Sequence, residues 1–199
     1  MNSELRAGLF VIVTVGILLL IAVFPQHVYD LPTAMFFTLS LVCFQRRQLL
    51  PYVLLFPFSC LNRETTILLT LLFAVYFFRR MDRRTYLLHL VFQLVVYGVI
   101  FLAVRWIFAN APGQDAYFNP RFNLQIYAAR PLLTAIFLGL AALVVGLVRI
   151  KWRRAPELCR TAFLVFAPIL VVMYVLIGRT FEVRVFIELV PVVGIIGVS

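Results

Sequence analysis

The sequence predicts an all-α polytopic membrane bundle. It reads as a single transmembrane domain over residues 1–199, with about five or six spanning helices plus a re-entrant or tilted helical hairpin. Three observations carry that reading. Of 199 residues, 64% are hydrophobic and only 13% charged, against roughly 25% charged residues in soluble domains; the mean hydropathy is +1.04. Apolar runs alternate with short basic clusters. One of those runs is interrupted by the charged tetrapeptide Asn62-Arg63-Glu64-Thr65.

The net charge of +10 would suit a nucleic-acid ligand if it lay on one polar surface. Here the basic residues sit between apolar runs, the pattern of loops facing anionic lipid, so membrane lipid is the expected partner and nucleic acid is not. Cys43, Cys60 and Cys159 occur singly, without CxxC spacing. Neither a disulfide framework nor a metal site is indicated.

Taken in order, Ala7–Phe24 is apolar, lacks an A-x-A-like exit and is followed by further apolar segments, so it reads as a retained signal anchor. Twelve of the eighteen basic residues fall at Arg6, Arg46-Arg47, Arg79–Arg84 and Arg149–Arg160. The positive-inside rule places these clusters, and the N-terminus, in the cytoplasm. Pro25–Leu31 is then an outer loop, and a helix returns over Pro32–Phe44. Thr85–Phe108 leads outward, Asn110–Arg130 is the longest outer loop, and Leu132–Val148 comes back. Thr161–Gly178 goes out again, and Leu189–Ser199 starts a short inward segment. Gly139 and Gly146, seven apart on one helical face, suggest close helix packing.

Residues 48–78 do not fit a simple alternation, because the basic clusters at both ends belong inside. Thirty-one helical residues extend roughly 46 Å, whereas two full crossings need roughly 60 Å. A hairpin with Asn62–Thr65 at its tip resolves the conflict, with Asn62 as N-cap of the second arm. A single long helix is the competing reading. Broken backbone at membrane depth requires cover by protein or a watery cavity.

With this topology the remaining polar residues gather on the outer side: His27, Tyr29 and Asp30; Arg63 and Glu64; Arg105; Asp115, Arg121 and Arg130; Arg179, Glu182, Arg184 and Glu188. Several arginines beside a cavity suit a phosphate or pyrophosphate, because guanidinium offers paired donors. A nearby carboxylate can act as general base or hold a divalent cation. Structural roles compete. Asp30 can cap the helix that follows it, Arg63 and Glu64 can pair with Glu182 and Arg184, and Arg105 can snorkel to the interface. His89 reads as a packed histidine.

Tyr29-Asp30-Leu31-Pro32-Thr33, Leu61-Asn62-Arg63-Glu64-Thr65 and Glu182-Val183-Arg184-Val185-Phe186, in that order, resemble bacterial polytopic membrane glycosyltransferases of the GT-C type. The resemblance implies an enzyme of the bacterial cytoplasmic (inner) membrane that takes a sugar from a polyprenyl-phosphate donor at the outer, periplasmic face. It implies an acidic residue of the first outer loop, here Asp30, as the base; in the leading reading of the chain Asp30 or Glu64 is the catalytic base. Asn62, Arg63, Arg105, Arg179, Glu182 and Arg184 would bind the substrate. Such enzymes are usually longer, with a large acidic first outer loop; here that loop is short and offers only Asp30, and the chain stops at Ser199 within an apolar segment, as a shortened form would. The alternative is a non-catalytic membrane protein, a lipid-carrier flippase or transporter or an assembly subunit for a membrane protein partner, whose charges are structural.

Overall fold

The computed structural model describes residues 30–109, 120–176 and 183–199; within these, the side chains of 121–124, 126, 133, 137, 140 and 183–185 are not described. The expected first helix, Ala7–Phe24, and His27, Tyr29, Asp115, Arg179 and Glu182 lie outside the described residues. Every element among those described is helical. Three helices are long and apolar enough to cross a membrane, over Arg83–Ile107, Thr134–Lys151 and Glu157–Leu176. The chain divides into two compact units, the first ending at Gln114.

In the first unit, α1 (Asp30–Gln45) and α2 (Leu49–Asn62) are joined by a tight turn. A 3-10 turn (Glu64–Thr66) leads into α3 (Ile67–Phe77), and α4 (Arg83–Ile107) follows. The first turn has the hydrogen bonds of a Schellman closure: Arg47 N–H to Phe44 O at 3.1 Å and Gln48 N–H to Cys43 O at 2.9 Å. That closure needs a left-handed residue, and Arg47 supplies it at φ 55°. The start of α4 is capped by Asp82, whose carboxylate accepts the Thr85 amide at 2.8 Å.

The chain breaks where the hairpin reading puts its tip. Arg63 adopts φ −159°, ψ 140°, an extended conformation between two helical segments, which excludes a single long helix. Beyond it the chain runs back alongside α2. Ser59 Oγ lies 3.1 Å from Thr66 Oγ1, and the Tyr52 and Phe73 rings stack with centroids 6.5 Å apart. Both pairs are centred between residues 62 and 63, as antiparallel arms require. Asn62 is not the N-cap of the second arm. Arg63 takes the extended backbone that a cap position demands, which leaves Asn62 as the last residue of α2.

Packing runs around a ring: α1 on α2, α2 on α4, α4 on α3, and α3 back on α1. The middle is filled by aromatic residues. Phe44, Tyr52, Phe56, Phe73 and Phe77 are at most 1% exposed, and Phe44 meets Tyr52 at 4.5 Å and Phe77 at 5.5 Å. His89 packs against this cluster, 6.0 Å from Phe73. One buried polar bond crosses it, from Tyr52 OH to Gln93 Oε1 at 2.7 Å.

The second unit contains α5 (Pro120–Ala129), α6 (Pro131–Lys151), α7 (Glu157–Leu176), a 3-10 segment (Val183–Leu189) and α8 (Val190–Val198). The expected long loop Asn110–Arg130 thus contains a helix. Pro120 is compatible with a first turn, and Pro131 forces the preceding Arg130 out of helical geometry, at φ −126°, ψ 65°. On α7 the buried residues Leu158, Ala162, Phe166, Leu170 and Tyr174 recur every fourth position, making one apolar stripe. Helix α8 packs on both α6 and α7. A Cβ at Gly139 or Gly146 would meet open space, so among the described residues neither glycine serves close helix packing.

Two expectations follow. Arg47→Gly removes the left-handed strain and should raise stability by about 1 kcal/mol in detergent unfolding. The Thr85 amide holds the Asp82 carboxyl below its ordinary value of 3.8. The cap is therefore intact above that value and lost as pH falls through the lower folded one. Hydrogen exchange in the first turn of α4 should accelerate over that acidic window, and Asp82→Ala should abolish the pH dependence.

Candidate functional site

The site is the hairpin tip, fastened on both sides within the first unit. On one side stands α1, whose Asp30 and Thr33 are a turn apart and face the same way. Asn62 Nδ2 donates to Thr33 Oγ1 at 2.8 Å, and Arg63 Nη1 donates to Asp30 Oδ1 at 3.3 Å. On the other side stands α4. Tyr97 donates its hydroxyl to the Glu64 backbone carbonyl at 3.0 Å, and Arg105 Nη2 lies 3.7 Å from Glu64 Oε1. The Arg105 guanidinium also covers the Phe101 ring, 4.5 Å from its centroid.

Below these anchors the break is closed by hydroxyls. Thr66 donates to Ser59 O at 2.8 Å, and the Arg63 N–H bonds the same carbonyl at 3.1 Å. The Ser59 carbonyl thus accepts both the last helical N–H of α2 and the hydroxyl of Thr66, which ties the two sides of the break together.

The two ion pairs differ in environment, and that difference sets their roles. The Asp30 side chain is 9% exposed and Arg63 23% exposed, whereas Glu64 and Arg105 are 64% and 60% exposed. An exposed pair contributes about 0–1 kcal/mol and exchanges partners readily. Breaking a buried pair leaves an uncompensated charge and costs about 3–5 kcal/mol. Asp30 is thus the carboxylate held inside the unit, and Glu64 the one exposed at the tip.

A pocket of about 160 Å³ opens here, lined by Cys60 to Glu64 of the tip and by Tyr97, Ile100, Phe101 and Val104 of α4. One wall is polar, with Asn62, Arg63 and Glu64. The facing wall is apolar, and Arg105 borders it through its contacts with Phe101 and Glu64. Such a lining suits a ligand with an anionic head and a hydrocarbon tail.

Of the residues expected to act together, Asp30, Asn62, Arg63, Glu64 and Arg105 are gathered at this tip. Arg184 falls in the second 3-10 segment without a described side chain, while Arg179 and Glu182 lie outside the described residues. The structure gives Arg63 and Glu64 partners that the sequence reading did not pair with them, Asp30 and Arg105. Snorkelling alone does not describe Arg105. Tyr97 and Phe101 are additions, and their signal is present in the sequence: Tyr97, Phe101 and Arg105 recur at four-residue spacing on one face of α4. No group of three or more His, Cys, Asp or Glu side chains able to hold a metal occurs among the described residues.

Comparison with protein-family models, with curated proteins and with solved structures yields no match.

Because Asp30 is buried and Arg63 part-buried against it, Arg63→Ala, which strands the carboxylate, should destabilise the protein by about 3 kcal/mol, and Asp30→Ala, which leaves a cation able to reach solvent, by less. The double variant Asp30→Asn/Arg63→Gln should lose far less than the sum. A double-mutant cycle of thermal midpoints in detergent checks this; strict additivity would show that the pair is uncoupled.

Proposed function

We propose that this chain is a multi-pass protein of the bacterial cytoplasmic membrane, with its N-terminus in the cytoplasm. In this reading it binds a polyprenyl-phosphate-linked sugar at the hairpin tip and transfers the sugar at the outer face. The observation that carries the proposal is the amphipathic pocket bordered by two arginines, Arg63 and Arg105, with an exposed carboxylate, Glu64, between them. The tip is then the re-entrant turn, and the exposed Leu61 and Leu102 beside it lie against lipid.

The roles follow from the geometry. Arg105 exchanges its weak contact with Glu64 for the donor phosphate, and the Arg63 guanidinium, part-exposed at the pocket wall, adds its positive charge beside the same group. Glu64, relieved of Arg105, accepts the proton of the acceptor hydroxyl. That oxygen attacks the anomeric carbon, the carbon–oxygen bond to phosphate breaks, and polyprenyl phosphate departs with its charge held by the arginines. Asp30 is assigned the support of Arg63 in place of the base.

The burial of Asp30 in an ion pair also favours a second reading. If the outer-loop carboxylate is structural, the chain is a carrier or assembly subunit that binds the lipid phosphate without catalysis. One experiment separates the two: native mass spectrometry and a sugar-transfer assay on wild type, Arg105→Gln and Glu64→Gln. Both substitutions lie at exposed positions and leave the buried pair intact. Polyprenyl-phosphate lipid retained by wild type and reduced about tenfold in Arg105→Gln supports the site. Loss of transfer with lipid retained in Glu64→Gln supports catalysis. Binding without transfer in wild type favours the second reading, and no lipid in wild type removes both.

A further inference from the structure

The opposite end of the first unit carries a separate concentration of charge. Arg46 and Arg47 lie in the turn between α1 and α2, and Arg79, Arg80, Arg83 and Arg84 flank the turn between α3 and α4. The two turns are neighbours. Phe44 and Phe77, each two residues ahead of an arginine pair, meet edge-on with centroids 5.5 Å apart. Six arginines therefore gather at one end, and among the described residues of these two turns the one carboxylate is that of Asp82, which is engaged by the Thr85 amide.

Three details point beyond a generic basic surface. The chain has a single lysine, Lys151, among its eighteen basic residues, and all six groups here are arginines, the side chain that pairs with phosphate oxygens in bidentate fashion. Arg47 occupies a left-handed position at φ 55°, where glycine would relieve strain, so an arginine is kept here against a backbone penalty. The Arg80 guanidinium is held 3.9 Å over the Tyr76 ring, preset at the edge of the cluster. Exposed apolar side chains adjoin both turns: Leu50 is 72% exposed, Phe78 63% and Leu88 63%.

We propose that this end is a binding site for an anionic phospholipid bearing two phosphodiesters. One phosphodiester lies at the Arg46–Arg47 turn and the other at the Arg79–Arg84 turn, with acyl chains against Leu50, Phe78 and Leu88. The dianion removes the mutual repulsion of the two turns. Two phosphates on one backbone also bind with the advantage of effective concentration, which singly charged lipids lack.

The test uses the full chain in phosphatidylcholine nanodiscs, titrated with cardiolipin or with phosphatidylglycerol at matched charge, and counts bound lipid by native mass spectrometry. Saturable binding of cardiolipin in preference to phosphatidylglycerol is expected. Arg46→Gln/Arg47→Gln should weaken it about thirtyfold. Replacing Arg46, Arg47, Arg79 and Arg80 with lysine should also weaken it, although charge is kept. Arg47→Gly should give a more stable protein with lower cardiolipin affinity, which guards against a folding defect as the explanation. Equal binding of the two lipids, or unchanged cardiolipin affinity in the glutamine or lysine variants, would overturn the proposal.

Discussion

Arg63 meets two demands at once: its backbone ends α2 in an extended conformation, and its side chain neutralises the buried carboxylate of Asp30. Each supports the other. An extended residue between two helices strands backbone donors and acceptors, and a buried carboxylate without a cation is unfavourable by several kilocalories per mole. Because Asp30 lies in the first turn of α1, the pair also fixes where α1 begins relative to the hairpin. The Asn62–Thr33 bond then sets the next turn of that contact. From the far side, Tyr97 pins the Glu64 carbonyl, so the tip is held between two helices rather than swinging as a loop.

The aromatic core depends on that anchoring. Tyr52, on the first arm, reaches across to Gln93 on α4 and lies over Phe73 on the second arm. A shift of one residue at the tip would turn each of these side chains by about 100° around its helix and separate all three contacts. Gln93 is fully buried, and its Nε2 has no hydrogen-bond partner among the described residues. Directional bonding at the core and ion pairing at the tip therefore select the same register.

Much of this was legible in the sequence. The helical class followed from composition. The break at Asn62–Thr65 followed from a length argument that two flanking basic clusters made unavoidable, and α4 was placed within two residues. Less visible were the partners. Arg63 meets Asp30 across thirty-three residues and Glu64 meets Arg105 across forty-one, and no local spacing announces such contacts. Asn62 was misread as a cap because cap propensity is local, whereas Thr33 on another helix decides where its amide points. The helix Pro120–Ala129 is hidden within Asn110–Arg130 because Arg121, Asn123 and Gln125 interrupt its apolar pattern. Tyr97 and Phe101 are legible in the four-residue spacing behind Arg105 on that face of α4.

Helix α4 also acts as a ruler. Between Arg84 and Arg105 lie twenty residues without a formal charge, roughly 30 Å of helix, close to the hydrocarbon thickness of a typical bilayer. The hairpin tip meets this helix at Tyr97, about 4 Å past the centre of that stretch, and again at Arg105 at its far end, so on the proposed membrane reading it occupies the outer half of the span. In a bilayer a few ångströms thinner, the Glu64–Arg105 pair would sit among wet headgroups and be weakly held. In a thicker one it would be drawn toward hydrocarbon, where the same contact tightens and a charged ligand enters less easily. Bilayer thickness thereby becomes a variable that tunes the polarity of the pocket mouth without any change in the protein.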